Sequence, residues 1–275
     1  MGYLIDPANW EWLVTGNNLR FLVDGFLVNV QIALIAIVLS LIFGLLLALA
    51  RISKAALLRA PAGAWIDVWR NLPLIFVILY LSLGLPAPWK DAYEGIVPGF
   101  FPEALQSGRV LAGILGLTLY NSAVIAEIMR AGIQSLERGQ GEAAASLGLP
   151  YWKSMRLVIL PQGLRRMVPA TVSQLITLNK DTTLVSIIAI QEVMRHGRIV
   201  SSFGFFGGAQ APVLQVFLTI GAMFVIVNLL LSRLSQRLEV RERRRTGVAV
   251  EPVTGLEDQV AAAAEVTLVA SAKDI

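Results

Sequence analysis

The chain has 275 residues, of which 56% are hydrophobic and only 15% charged, with a formal net charge of +4. Soluble domains carry about a quarter charged residues, so water alone is the wrong solvent for this sequence. Cysteine is absent and His196 is the single histidine, which excludes disulfides, thiolate chemistry and clustered Cys/His metal sites.

A helix crossing the hydrocarbon layer needs about 20 apolar residues, so spans are counted before domains. The first basic residue is Arg20, and the N-terminus therefore lacks the positively charged start of a cleaved signal peptide. Trp10 and Trp12 follow Pro7 in a short segment suited to the membrane–water interface. Residues 26–50 hold no formal charge and are broken only by Asn29, Gln31 and Ser40; they form the first predicted span.

A second span is predicted over 65–85, with Asp67 and Arg70 on one face at its start. Prolines, glycines, Lys90, Asp91, Glu94 and Glu103 make 86–108 an aqueous loop. A third span covers 110–129. Within it Asn121 and Ser122 either line a pathway or bond neighbouring helices, and near its end Glu127 and Arg130 are spaced for an interfacial ion pair or a gate.

The fourth span, 167–190, carries Lys180 and Asp181, and the fifth, 211–231, is uncharged. From residue 167, thirteen helical residues advance about 20 Å, which puts both charges in the outer half of the bilayer. Such charges do not face lipid. They are answered by another helix or a second subunit, or by a transported zwitterion. His196 follows in an external loop and reads as a solvated polar residue. The tail after Arg245 is rich in small residues and lacks aromatics, so it is expected to be disordered or marginally helical.

Five is an odd number, so the termini lie on opposite sides. Of the 23 Lys and Arg residues, seventeen fall on the side of the 130–166 loop and the C-terminus and five on the other, with Lys180 inside a span. Positive residues favour the cytoplasmic side, which leaves the N-terminus outside. The run around Arg241 to Arg245 then reads as an anchor for anionic headgroups and not as a nucleic-acid site.

The most informative stretch is cytoplasmic, from Gly139 to Pro150. It predicts one short helix. Glu142 sits where the helix dipole is positive, Gly148 suits a left-handed cap, and Pro150 blocks continuation. Alanines coat it and Leu147 offers an apolar knob, so it either docks on a partner or lies on the membrane and closes the bundle.

Glu142-Ala143-Ala144, then Gly148 three residues on, then Val158-Ile159-Leu160-Pro161 after nine more, resembles the signature loop of binding-protein-dependent ABC importer permeases, with Val158 where isoleucine is usual. RNLPL from Arg70, LYNSAVIAEIMRAGIQS from Leu119 and LNKDTTLVSIIAI from Leu178 narrow the resemblance to the polar amino acid permeases of the histidine/glutamine/glutamate group. The similarity covers most of residues 20–235. RNLPL has asparagine and leucine where that family often has glycine and threonine, and the tail has no counterpart.

The resemblance implies an all-α protein of five transmembrane helices in a bacterial inner membrane. Residues 1–20 are an external segment, 21–240 the transmembrane domain and 241–275 a cytoplasmic tail. It further implies a second permease subunit, two cytoplasmic ATPase subunits and an extracytoplasmic amino-acid-binding protein as partners, with acidic or amide amino acids favoured as cargo. Glu142, Ala143, Ala144, Gly148, Leu160 and Pro161 would couple to the ATPase. Lys180, Asp181, Thr182, Asn121, Ser122 and Glu127 would serve the pathway or its gating. The chain has no G-x-x-x-x-G-K-[ST] phosphate loop, so it is expected to be no enzyme, to hold no cofactor or metal, and to draw its energy from another subunit. A self-sufficient carrier is the rival reading, kept open by Lys180 and Asp181. An intramembrane enzyme is a second, weakened by the lack of any nucleophile–base arrangement.

Overall fold

The computed structural model describes residues 6–14, 16–136, 138–203 and 211–246, and every regular element among them is helical. Met1–Gln236 forms one compact unit and Arg237–Ile275 a second. In the second unit residues 237–246 are helical. Expectations for the chain beyond residue 246 lie outside the described residues.

The principal helices are α1 (Asn18–Ile52), α2 (Ala56–Asn71), α3 (Leu74–Gly84), α4 (Ala87–Ile96), α5 (Gly108–Gln134), α6 (Arg138–Ser146), α7 (Leu160–Arg166), α8 (Val168–Asp181), α9 (Val193–Phe203) and α10 (Val213–Thr246). Three helices are long and apolar enough to cross a membrane by themselves: α1, α5 and the Val213–Leu238 part of α10. They coincide with the first, third and fifth predicted spans, the fifth starting two residues later than expected.

The second and fourth predicted spans are not single straight helices. Over 65–85 the chain breaks between α2 and α3, which meet at 102°. Leu72 is extended, with φ −85° and ψ 134°, because the ring of Pro73 disfavours the helical region for the residue before it. Asp67 and Arg70 share α2, but Asp67 takes part through its carbonyl, which accepts from Asn71 Nδ2 at 2.7 Å, and no ion pair joins the two. Over 167–190 the α-helix ends at Asp181 and tightens into a 3₁₀ segment, Thr182–Ile188, closed by Ala189 in the left-handed region at φ 60°.

The expected aqueous loop 86–108 holds α4, started by Pro86 and Pro88. It is tied down at three points: Lys90 Nζ donates to Ser82 O at 2.9 Å, Tyr93 Oη to Leu105 O at 2.8 Å, and the Gly108 amide to Glu94 Oε1 at 2.6 Å. The last of these puts a carboxylate at the N-terminus of α5, where the dipole favours it.

The main core lies between α1 and α5, with Ile32, Ala36, Ala48, Leu117, Ile125 and Ile78 buried together. A second cluster joins Trp12, Leu22, Phe26, Val193, Val200 and Val216. Trp12 is thus a core residue, 7% exposed; its carbonyl accepts from Asn18 Nδ2 at 3.0 Å.

His196 departs from expectation in the same region. It is 9% exposed, stacks on the Phe21 ring at 3.8 Å between centroids, and places Nδ1 2.6 Å from Phe21 O. A β-carbon on Gly25 would come within 2.6 Å of the same Nδ1 and 3.0 Å of Val193 Cα, so the close approach of α1 and α9 requires glycine there. Burial makes the imidazolium costly and holds the ring below the ordinary imidazole range, opposed by the Phe21 carbonyl and by Asp24.

The unfolded ring takes up its proton near pH 6.5, the folded ring only below that. Between those two values the unfolded chain binds more protons, so stability is fully present above about pH 6.5 and is lost as pH falls through the window. The contribution of His196 is read as a difference: the melting temperature of the detergent-solubilised protein relative to that of His196→Gln should fall as pH drops below about 6.5.

Candidate functional site

The helix expected around Glu142 forms, but as α6 it starts at Arg138, one turn earlier than expected. Gly139 and Gly141 are included in it despite their poor helix propensity. Nine residues make it about 14 Å long. Glu142 therefore lies in the second turn, where the dipole has faded, and its carbonyl accepts from Ser146 Oγ at 2.9 Å.

The C-terminal cap is as expected and complete. Gly148 has φ +72°, its amide donates to Ala145 O at 2.9 Å, and the Leu149 amide donates to Ala144 O at 3.1 Å. These two bonds are the reciprocal pair of a Schellman cap. Ala144 is buried, whereas Glu142, Ala143, Ala145 and Leu147 are exposed, Leu147 to 80%.

After Pro150 the chain forms one helical turn, Tyr151–Ser154, then a π-helical turn, Met155–Ile159, then α7. The wide turn has a local cause. Pro161 lacks an N–H and its ring would strike the carbonyl four residues back, and a π-turn relieves that clash. Leu160 keeps its bond by donating to Met155 O.

This segment is bolted to the C-terminal end of α5. A β-carbon on Gly132 would lie 3.1 Å from Gly163 O, and one on Gly163 would lie 3.1 Å from Ile133 Cα. Backbone thus rests on backbone with glycine on both sides. Arg166 Nη1 donates to Ser135 O at 2.8 Å and Gln162 Nε2 to Gln140 Oε1 at 3.2 Å. The structure brings α6, α7 and α5 into one connected unit.

The polar residues predicted inside the bundle separate into two groups. Asn121 is fully buried and accepts from Gln174 Nε2 of α8 at 2.7 Å while donating to Leu117 O. Ser122 bonds back to Leu119 O. Glu127 holds Arg130 at 2.7 Å, and Arg130 also reaches Gln134. Thr182 is fully buried, donating to Asn179 O at 2.7 Å and accepting from Asn29 Nδ2 at 3.1 Å.

Lys180 and Asp181 form the second group. Lys180 is exposed and Asp181 half-buried, and neither side chain makes a hydrogen bond or ion pair with a described residue. They stand at the α-to-3₁₀ junction, next to Thr182, and form no ion pair among the described residues.

Sequence reasoning missed the centre of the network. Asn29 of α1 donates to Glu192 Oε2 at 3.0 Å as well as to Thr182, and its Oδ1 accepts from the Val193 amide at 3.1 Å. Glu192 is fully buried and caps α9, accepting from the Met194 amide at 3.0 Å and the Arg195 amide at 2.8 Å. Desolvation pushes its carboxyl above the ordinary range, against those three donors. Asn179 Nδ2 donates to Asn228 Oδ1 at 3.2 Å, which ties α8 to α10. The available signal was Asn29 itself, an amide in an otherwise apolar span that needs a partner.

Residues 21–244 match the profile of the family described as "Binding-protein-dependent transport system inner membrane component". The chain is 36% identical over 225 residues to the "Probable glutamine ABC transporter permease protein GlnP" of Bacillus subtilis (strain 168), covering 82% of this chain and 95% of that one. It is 32% identical over 237 residues to the "Glutamate/aspartate import permease protein GltK" of Escherichia coli O6:H1, covering 84% and 98%. Its fold matches the crystal structure of "an amino acid ABC transporter with histidines" with a TM-score of 0.67 and 28% identity over 81% of this chain and 94% of that one. It also matches an inward-facing form of the "MetNI methionine ABC transporter" at 0.62 and 20% over 82% and 97%, a likeness of fold.

Glu192→Ala should remove the α9 cap and strand the Asn29 amide, costing about 1–3 kcal/mol. Thermal unfolding in detergent should show a lowered melting temperature, and Glu192→Gln, which keeps an acceptor, should lose less.

Proposed function

Since the chain belongs to the family of binding-protein-dependent transport system inner membrane components and is the permease subunit of an ABC importer, we propose that its cargo is a polar amino acid of the acidic or amide type. The observation that carries this reading is similarity to glutamine and glutamate/aspartate permeases across nearly their whole length.

In the proposed arrangement the chain spans the inner membrane five times, with the N-terminus outside and the C-terminus cytoplasmic. The bent α2–α3 pair and the α8–3₁₀ segment supply the second and fourth crossings. Residues 1–20 are external, 21–240 form the transmembrane domain, and 241–275 are a cytoplasmic tail. Two permease subunits pair, two ATPase subunits bind below, and an amino-acid-binding protein delivers cargo from outside. The charge bias of the loops and the family membership support this arrangement.

Coupling is assigned to Glu142, Ala143, Ala144 and Gly148 of the α6 segment, with Leu160 and Pro161 at the hinge behind it. The exposed alanine face admits a close partner surface. The close backbone contact between Gly132 and Gly163, flanked by the Met167 and Ile133 side chains, passes displacement of α6 to α5 and, through Asn121 and Gln174, to α8. Lys180 and Asp181 then face the second subunit or the zwitterionic cargo, and Thr182, Asn121, Ser122 and Glu127 hold the walls around them.

The test is amino acid uptake by proteoliposomes holding the full complex, with the ATPases and ATP present or absent. Gly148→Val should abolish most uptake, because a β-branched residue is strained at positive φ and its methyls crowd the docking face. Glu142→Lys should uncouple ATP hydrolysis from uptake with assembly intact. Wild-type uptake by both variants would remove the coupling role from α6.

Lys180→Met and Asp181→Asn should each impair uptake, since a charge held in the bilayer without a partner costs about 2.5–3.5 kcal/mol and persists only where it is used. Cargo contact requires an altered preference among amino acids with assembly preserved; lost assembly assigns the pair to the subunit interface. Normal uptake and assembly in both variants would exclude either role.

A further inference from the structure

Where the cytoplasmic end of α1 meets the turn that follows α6, the chain leaves a groove of about 350 Å³ lined by Leu46, Leu49, Leu58, Trp152 and Met155, with Tyr151 at its edge. This lies within the range of small-molecule sites, about 300–1,000 Å³. The walls are apolar and their outer members are open: Leu46 is 58% exposed and Trp152 66%. Lys54 stands over the Tyr151 ring, its Nζ 5.0 Å from the centroid.

Cations crowd this rim. Lys54, Arg59, Lys153 and Arg156 are all exposed and alternate with the lining residues along the two segments. Neither 46–59 nor 151–157 contains an aspartate or glutamate. An apolar slot beneath an unopposed positive rim, with an indole and a phenol at the boundary, has the layering of a phospholipid: acyl chain, interface, anionic headgroup.

We propose that this groove binds one anionic phospholipid of the cytoplasmic leaflet, its acyl chain between α1 and the Tyr151–Met155 turn and its phosphate between Lys54 and Lys153. The proposal rests on the membrane orientation given above. Because Tyr151 and Trp152 directly follow the Gly148 cap and precede the π-turn at Pro161, an occupied groove braces the coupling segment against α1. The positive rim favours phosphatidylglycerol over phosphatidylcholine, as each basic residue near an anionic surface contributes about fivefold in affinity.

The experiment places the complete transporter, with its ATPase subunits bound, in nanodiscs containing phosphatidylglycerol and phosphatidylcholine. In parallel samples one or the other lipid carries a photoactivatable acyl chain. Cross-links from phosphatidylglycerol should map to the peptides holding 46–58 and 151–155 several-fold above those from phosphatidylcholine. Lys54→Gln and Lys153→Gln should each lower that labelling about fivefold, and Arg109→Gln, in the first turn of α5, should leave it unchanged.

Equal labelling by the two lipids, or labelling confined to other peptides, overturns the proposal. So does labelling that appears only after the ATPases are stripped off, which would assign the groove to the ATPase. If a variant fails to assemble, the wild-type comparison of the two lipids still decides. The readout is lipid contact and not uptake, so a wrong cargo assignment leaves it unaffected.

Discussion

A polar group inside the hydrocarbon layer has no water to turn to, so the protein must answer it. This chain carries Asn29, Asn121, Gln174, Asn179, Thr182, Glu192 and Asn228 on or beside its apolar helices, and it answers each by pairing one segment with another. Lipid tails are as apolar as leucine, so apolar burial gives little preference for one helix arrangement over another. The arrangement of α1, α5, α8, α9 and α10 accordingly depends on these amide, hydroxyl and carboxylate bonds together with close glycine contacts. Asn29 is the pivot: one side chain meets Thr182, Glu192 and the first amide of α9.

The same constraint explains where the helices are allowed to break. The kink at Leu72–Pro73, the π-turn before Pro161 and the 3₁₀ segment after Asp181 all depart from the regular α-helical ladder, which is tolerated only where the affected backbone groups find other partners. Two of these irregularities fall in stretches proposed to move or to carry charge. A helix already loosened by a wide or tight turn shifts at lower cost than a continuous one. The α6 segment has the opposite character, with a complete cap and a backbone-to-backbone seat on α5, as suits an element that transmits displacement without absorbing it.

Lys180 and Asp181 are informative because their neighbours are so well satisfied. Thr182 beside them makes two bonds, while the two charged side chains make none among the described residues. In the proposed assembly these two charges are left for the second subunit or the cargo to meet.

Local features of the sequence determined much of this. Uninterrupted apolar runs of spanning length identify α1, α5 and α10, since a membrane span is defined by length and transfer energy alone. The Gly148 cap and the stop at Pro150 were equally legible, because a left-handed cap and a missing N–H are properties of single residues. What could not be read was partnership. Trp12 and His196 look like surface residues in a polar stretch, yet both are core, because α9 folds back on α1 through the gap that Gly25 leaves. Pro73 announces a break but not the 102° between α2 and α3. Glu192 gains its role only when Asn29 arrives from 163 residues away. Sequence alone determined which segments are apolar enough to cross a membrane and where a helix may end, because those are local free energies. Tertiary structure decided which polar groups answer one another, because each bond joins residues brought together only by packing.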